Sequence, residues 1–569
     1  AKKIQYKGVT LDIPAGAAAN VTWRLKAPAN RDKLVWTLDA RSADGKAVDR
    51  MTATQIIAPA VPLEVWAATL TRVGQGTSIP LAPPGGALPG RGSVDVRLSD
   101  SLAPPLDGVR AYMAAYPYGC FEQLLSKAVV AGDVGSWNRL AGEIPAYLDK
   151  DGLLRYFPEQ TLDGSIALTA YALSLTAENG WQIPDANREK MIGALRSVVE
   201  GRLTRETGGG GDHRLEKLTA LAALARNGAS DAALLGQIGI NPKDMQSSAL
   251  ADWLTAIQRT PGAHPGWAAQ AETELRTRIV YEGSRIDLTD NNAAPWWLMS
   301  TGDEVAIRVL GAILGRPGWQ DESPRMMVGV AIRQRRGHWD STTANAWGTV
   351  LARRFASLYP PGAVAGTTSL NLAGASRSVA WPTGSTAPLV TMPLPAQSAP
   401  LVLSQSGGAG PWAQVSLKAA VPLAKPLFAG YRMTKQIEVI QRRVPGKLTR
   451  GDVLRIRITV DASAERNWVV VNDPIPGGAT IVGDLGGQSA ALAAEASGGE
   501  GVQPSYIERG QDAWRGYFGW VPRGRFTVEY AVRLNGAGTF QLPPTRVEAL
   551  YSPDIRAAVP NKPVTVAMK

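Results

Sequence analysis

The chain has 569 residues, 45% of them hydrophobic and 19% charged, with a formal net charge of +11; that length accommodates roughly three to five domains, each with a core of its own. No uninterrupted apolar run is long enough to cross a bilayer, and Lys and Arg are scattered with no run longer than RQRR at Arg333 to Arg336, so the charge points to a basic surface and away from a nucleic-acid partner. A single cysteine excludes an internal disulfide, three widely separated histidines give no metal-ligand spacing, and no cofactor is expected.

The opening AKKIQYKGVTLDIP has neither an apolar h-region nor a cleavage site, so any targeting segment is expected to have been removed or to lie upstream. ANVTWRLKAP, DKLVWTLDARS and PLEVWAATL then alternate apolar and polar residues between turn-rich stretches, which predicts sandwich strands. SIPLAPPGGALPGRGSVDVRLSD joins a Pro/Gly-rich turn to one more strand ending at Leu98 and reads as a boundary followed by a new sheet. From Ser101 to about Tyr359 the apolar spacing becomes three and four, as in SIALTAYALSLTAENG, RLEKLTALAALARNG and TTANAWGTVLARRFASL. About ten to twelve helices joined by short loops are predicted there. Paired helices pack economically as a solenoid or a closed α/α toroid, and the lack of a strict repeat favours the toroid.

After Tyr359 alternation returns in TTSLNLAGASRSVAW, APLVTMPLP and PWAQVSLKAAVP, with a seam near Leu423 to Phe428. From about Lys425 the segments KQIEVIQRR, DVLRIRITVD, NWVVVNDPIP, RGRFTVEYAVRLN and TRVEALYSP predict a separate antiparallel sandwich. Helices flanked by β segments suggest a helical domain inserted into a β domain.

The lone cysteine, Cys120, lies in YPYGCFEQLLSK, three residues before Gln123 at a predicted helix start. A tight turn there can bring the thiol against the side-chain amide carbon, a geometry that permits an internal thioester with loss of ammonia; the helix N-terminus is expected to favour the thiolate. An unmodified buried cysteine is the alternative that spacing alone leaves open.

Gly119-Cys120-Phe121-Glu122-Gln123 resembles the GCxEQ thioester motif of the alpha-2-macroglobulin and complement family, and YPYGCFEQ resembles its bacterial members. SLAPPLDGVRAYMAAYPYGCFEQ, HWDSTTANAWGTVLA, VNDPIPGGATIV and TFQLPPTRVEALYSPDIRA are also similar to family segments, in family order. The resemblance implies a multidomain α+β chain of antiparallel β-sandwich domains with an inserted α/α-toroid thioester domain. Residues 1–61 would be the C-terminal part of a macroglobulin-like β domain. Residues 62–100 and 361–424 would be the two halves of a CUB-type β domain, split by the helical thioester domain of 101–360. Residues 425–569 would form a terminal macroglobulin-like β-sandwich.

In such proteins a protease cuts a bait region, expected here upstream of Ala1, and a lysine of the protease attacks the exposed thioester. Cys120 would be the leaving group and Gln123 the acyl carbon, in a single-use protease inhibitor rather than an enzyme. Glu122 belongs to the motif with no chemistry assigned beyond complementing the helix dipole. The resemblance further implies that a tyrosine of the turn, Tyr116 or Tyr118, shields the thioester together with a Met-Tyr pair, whose counterpart here is Leu550-Tyr551. It implies a periplasmic protein held to the inner membrane by an N-terminal lipid, with proteases as partners and cell-envelope or peptidoglycan-synthesis proteins as further ones.

Three other readings stay open. One is an α/α-toroid carbohydrate-active enzyme recruiting Asp163, Asp290 or Asp340, although Asp163 and Asp340 read more simply as parts of helix starts. A second is a cysteine protease with Cys120 and a distant histidine, which lacks a local signature. The third is an envelope scaffold whose thioester never forms. Some thioester proteins use a histidine of the helical domain to redirect attack toward hydroxyls; His213, His264 and His338 lie in no segment similar to that one and read as loop or surface residues, so the resemblance implies a preference for amines over hydroxyls.

Overall fold

The computed structural model describes residues 5–19, 21, 23, 33–57, 59, 61–205, 213–290, 294–381, 388–482 and 502–568. The chain divides into two compact units, Ala1–Pro62 and Leu63–Lys569. In the first unit Lys33–Arg41 pairs antiparallel with Val48–Ile56. The strand predicted in ANVTWRLKAP falls mostly outside the described residues.

The second unit contains two four-stranded sheets assembled from both ends of the helical block. One has the order Leu389–Pro393, Gly92–Ser99, Trp412–Ala419, Glu64–Arg72; the other has the order Thr77–Leu81, Ala399–Ser406, Gly366–Leu372, Ala375–Trp381. Alternation drives this pairing, because Val94, Val96 and Leu98 point inward and meet Leu370, Leu401, Leu403 and Val415 in one core. The hairpin between Gly366–Leu372 and Ala375–Trp381 closes on two residues, Ala373 and Gly374, with φ of 48° and 85°; a two-residue turn of this hand matches strand twist. The helices are therefore inserted into a β structure, as the flanking alternation predicted.

The inserted block has twelve α-helices among the described residues: α1 Asp107–Ala115, α2 Phe121–Ala131, α3 Val134–Tyr147, α4 Ile166–Asn179, α5 Asp185–Val199, α6 His213–Arg226, α7 Ala232–Gly236, α8 Ser247–Arg259, α9 Pro265–Thr277, α10 Gly302–Ile313, α11 Glu322–Ile332 and α12 Thr342–Leu358. The even-numbered members from α2 to α12 touch in sequence and α12 returns to α2, closing an inner ring. Outside it, α3 packs on α2, α5 on α4 and α6, α9 on α8, and α11 on α10. Inner helices are buried on nearly every side, as in α4, where Ile166 through Thr176 are all buried, so their apolar periodicity is blurred. One hairpin, Ile279–Glu282 with Arg285–Leu288, interrupts the helices; four-residue strands are too short to register as period two.

The last block is a sandwich. A six-stranded sheet in the order Leu427–Ala429, Arg556–Val559, Thr545–Ala549, Arg466–Pro474, Ala513–Val521, Tyr506–Arg509 shares a core with a four-stranded sheet of Tyr431–Gln441, Val453–Ala462, Gly524–Arg533 and Thr480–Val482. Val469, Val471 and Phe518 point into that core, whereas Val470, Tyr517, Leu550 and Tyr551 join the core of the helical block. The six-stranded sheet is thus buried on both faces at its centre, one against its partner sheet and one against the helices.

Candidate functional site: a thiol and a carboxamide in one capping box

Helix α1 stops at Tyr116, which is extended with φ −64° and ψ 121°, because the residue before Pro117 is pushed out of the helical region. Three residues beyond that proline, Cys120 is again extended (φ −72°, ψ 172°) and N-caps α2. The cap is reciprocal. The backbone N–H of Gln123 points at the Cys120 sulfur, and the Cys120 backbone N–H donates to Gln123 Oε1 at 2.9 Å. This arrangement usually pairs Ser or Thr with Glu or Gln; with Cys in the cap it sets a thiol beside a carboxamide. Both side chains are buried, and Gln123 Nε2 has no hydrogen-bond partner, an arrangement that costs about 1–3 kcal/mol.

The expected preference for a thiolate is not met. Burial pushes the Cys120 thiol well up, the Glu122 carboxylate adds to the effect, and the helix-start N–H groups of Gln123 and Glu122 oppose it without prevailing.

Glu122 does more than complement the helix dipole. It is fully buried, its Oε1 accepts from Ser126 Oγ at 2.6 Å, and its Oε2 accepts from Thr342 Oγ1 at 2.9 Å and from the Tyr551 hydroxyl at 3.0 Å. Burial raises its pKa, and the three hydroxyl donors pull against that rise. One carboxylate thereby joins α2, α12 and the terminal sandwich.

The remaining motif and turn residues gather around this point. Phe121 packs edge-on to Tyr147, with ring centroids 5.0 Å apart, and its N–H donates to the Tyr156 carbonyl at 2.8 Å. Gly119 is exposed in the turn. Tyr118 is buried, donates to Glu548 Oε2 at 2.9 Å, and meets Tyr517 edge-on at 6.1 Å. Tyr116 is half-buried and T-shaped on Tyr118 at 5.3 Å. Leu550 is buried and its N–H donates to the Trp468 carbonyl at 2.9 Å. The ladder between Arg466–Pro474 and Ala513–Val521 skips Trp468, whose φ is +50°. That kink lays its indole on Tyr156, 3.8 Å between ring centroids, and within 6.1 Å of Phe157. Trp468, Tyr156, Thr342 and Glu548 were not singled out in the sequence, and nothing local marks them, because each acts through a partner remote in the chain.

The other candidates lie in structural roles. Asp290 accepts from the backbone and hydroxyl of Ser247 at the start of α8, at 2.8 and 2.6 Å. Asp340 accepts from Thr301 at 2.6 Å, and desolvation with Asp303 alongside raises its pKa. Asp163 is exposed. The actual caps of α12 and α4 are the following serines, Ser341 and Ser165. His213 contacts Glu216 at 2.8 Å and His264 caps α9. His338 is no plain loop residue: it stacks on Tyr112 with centroids 3.6 Å apart, and burial lowers its pKa to about 4. No group of three or more metal-ligating side chains occurs among the described residues.

Comparison with known proteins accords with this architecture. Residues 430–554 match the family model of the bacterial alpha-2-macroglobulin MG10 domain. Native Escherichia coli alpha-2-macroglobulin, spanning domain MG7 to the C-terminus, superposes with a TM-score of 0.72 at 16% identity, over 94% of this chain and 87% of that one. The chain has the fold of a bacterial alpha-2-macroglobulin C-terminal region. Salmonella alpha-2-macroglobulin reacted with methylamine superposes with a TM-score of 0.70 at 18% identity, over 92% of this chain and 34% of that one. A cryo-EM reconstruction of the native E. coli protein gives 0.72 at 17% identity, over 93% and 34%. The chain therefore spans about a third of the length of those two alpha-2-macroglobulins. No curated protein matches it by sequence.

Proposed function

We propose that the chain is the thioester-bearing portion of a protease-trapping alpha-2-macroglobulin. The observation that carries this reading is the Cys120–Gln123 capping box with its buried, unpartnered Gln123 Nε2. Attack of the Cys120 sulfur on Gln123 Cδ expels that nitrogen as ammonia, so forming the thioester removes the one polar atom of the pair that the fold leaves unsatisfied. A lysine amine of a captured protease then attacks the acyl carbon, an amide forms at residue 123, and the thiol returns at Cys120. The reaction is spent after one turnover, as befits an inhibitor rather than an enzyme. The reactivity of the Salmonella relative toward methylamine supports an amine as the attacking group.

Tyr116, Tyr118, Leu550 and Tyr551 are the shield in this reading, with the terminal sandwich as a cover over the thioester. Leucine at 550 excludes water by burial alone. A trap for foreign proteases works outside the cytoplasm, and we assign it to the periplasm. The test is incubation with a fluorescent primary amine: one label on residue 123 and one thiol released per chain are expected, with none in Cys120→Ala. Absence of label in a protein that retains Cys120 and Gln123 would contradict the proposal.

A further inference from the structure

Lys127 follows Gln123 by four residues on α2, and side chains at that spacing are neighbours on one helix face. Its Nζ donates to the Tyr118 carbonyl at 2.6 Å and stands 5.7 Å from the Tyr116 ring centroid. Both restraints come from the turn that precedes Cys120. Burial lowers the Lys127 pKa, and Cys120 and Glu122 are the first charges that oppose this, which places the amine in the electrostatic reach of the thiol. An amine of the chain itself is therefore poised one helical turn from the acyl carbon, held off by two contacts to a single turn.

We propose that Lys127 is an internal acceptor: when the Tyr116–Gly119 turn moves away, its Nζ attacks the Gln123 acyl carbon and forms an isopeptide bond across one turn of α2. This rests on the thioester reading above. The amine lone pair forms the C–N bond, the C–S bond breaks, and Cys120 leaves as a thiolate that takes up the proton the amine loses. No water or other reactant enters, so the product is an isomer of the thioester form with a free thiol. Tethering gives such an amine a large effective concentration over solvent nucleophiles. The consequence is a trap that disarms itself when it opens without prey.

The experiment is incubation of the purified protein in amine-free phosphate buffer, following free thiol and intact mass together, with tryptic mapping at the end. The expected result is thiol appearing while the mass stays one ammonia short, with a Gln123–Lys127 linked peptide that trypsin does not cut after Lys127. In Lys127→Arg, which keeps the charge on Tyr118, the isobaric product should be lost entirely and every released thiol should accompany the gain of one water. Wild-type thiol release with gain of water and a cleavable Lys127 would overturn the inference while leaving the thioester intact as a reading. A starting chain of full mass with glutamine at 123 and a thiol that titrates after denaturation alone would instead sink the thioester reading, and this inference with it.

Discussion

Glu122 sits where a single oxygen accepts from both α12 and the terminal sandwich, through Thr342 and Tyr551. A buried carboxylate is tolerated only when such donors offset its desolvation. Tyr551→Phe removes one of the three donors without emptying the site, so a loss of roughly 1.5–3 kcal/mol is expected, read by urea unfolding. In Glu122→Gln the Tyr551 bond is already weakened, and the second substitution should then cost less than in the wild type; strictly additive losses would show that the two groups do not interact. None of this was legible from the motif. Cys120 and Gln123 could be paired by spacing because they are local, whereas Thr342 and Tyr551 lie 220 and 429 positions from Glu122, and only the fold brings them together.

Helices and strands were legible to the extent that one face meets water. Strands such as Gly92–Ser99 alternate clearly, and the capped helices α4 and α12 begin at the serines their sequences offer. The strand Ala513–Val521 escaped detection because its first six residues are all buried, between two cores, which erases period two. Close packing at the element scale makes specific demands. A Cβ on Gly348 of α12 would lie 2.3 Å from the ring of the fully buried Trp339, so Gly348→Ala should cost about 1–3 kcal/mol by overpacking, seen as a lowered urea midpoint at unchanged slope. Inside the ring, Glu304 of α10 faces Arg308, Asp252 and Ser300, and burial pushes its pKa to about 7 from an ordinary 4.5. A raised carboxyl contributes its full stability below about 4.5 and loses it as pH rises through about 7. The stability of the wild type relative to Glu304→Gln should therefore fall as pH rises across that window, with a slope corresponding to about one proton per molecule; a difference independent of pH would refute the assignment.

At the scale of the whole molecule, the terminal sandwich completes the core around the turn that carries Cys120: Val470, Tyr517, Leu550 and Tyr551 pack with the helices rather than with their own sandwich. Tyr118 to Glu548 adds a second polar tie across the same boundary. If this cover protects an electrophile, Tyr551→Ala should speed the appearance of free thiol in amine-free buffer, by up to tenfold for each about 1.4 kcal/mol of lost closure; an unchanged lifetime would separate the cover from any protective role. All of this depends on a bond between Cys120 and Gln123. The most direct test is the intact mass of the native protein with parallel thiol titration. A mass short by one ammonia, with no titratable thiol until methylamine is added, is the predicted result. A full mass with glutamine at 123 and a thiol that titrates after denaturation alone would contradict it.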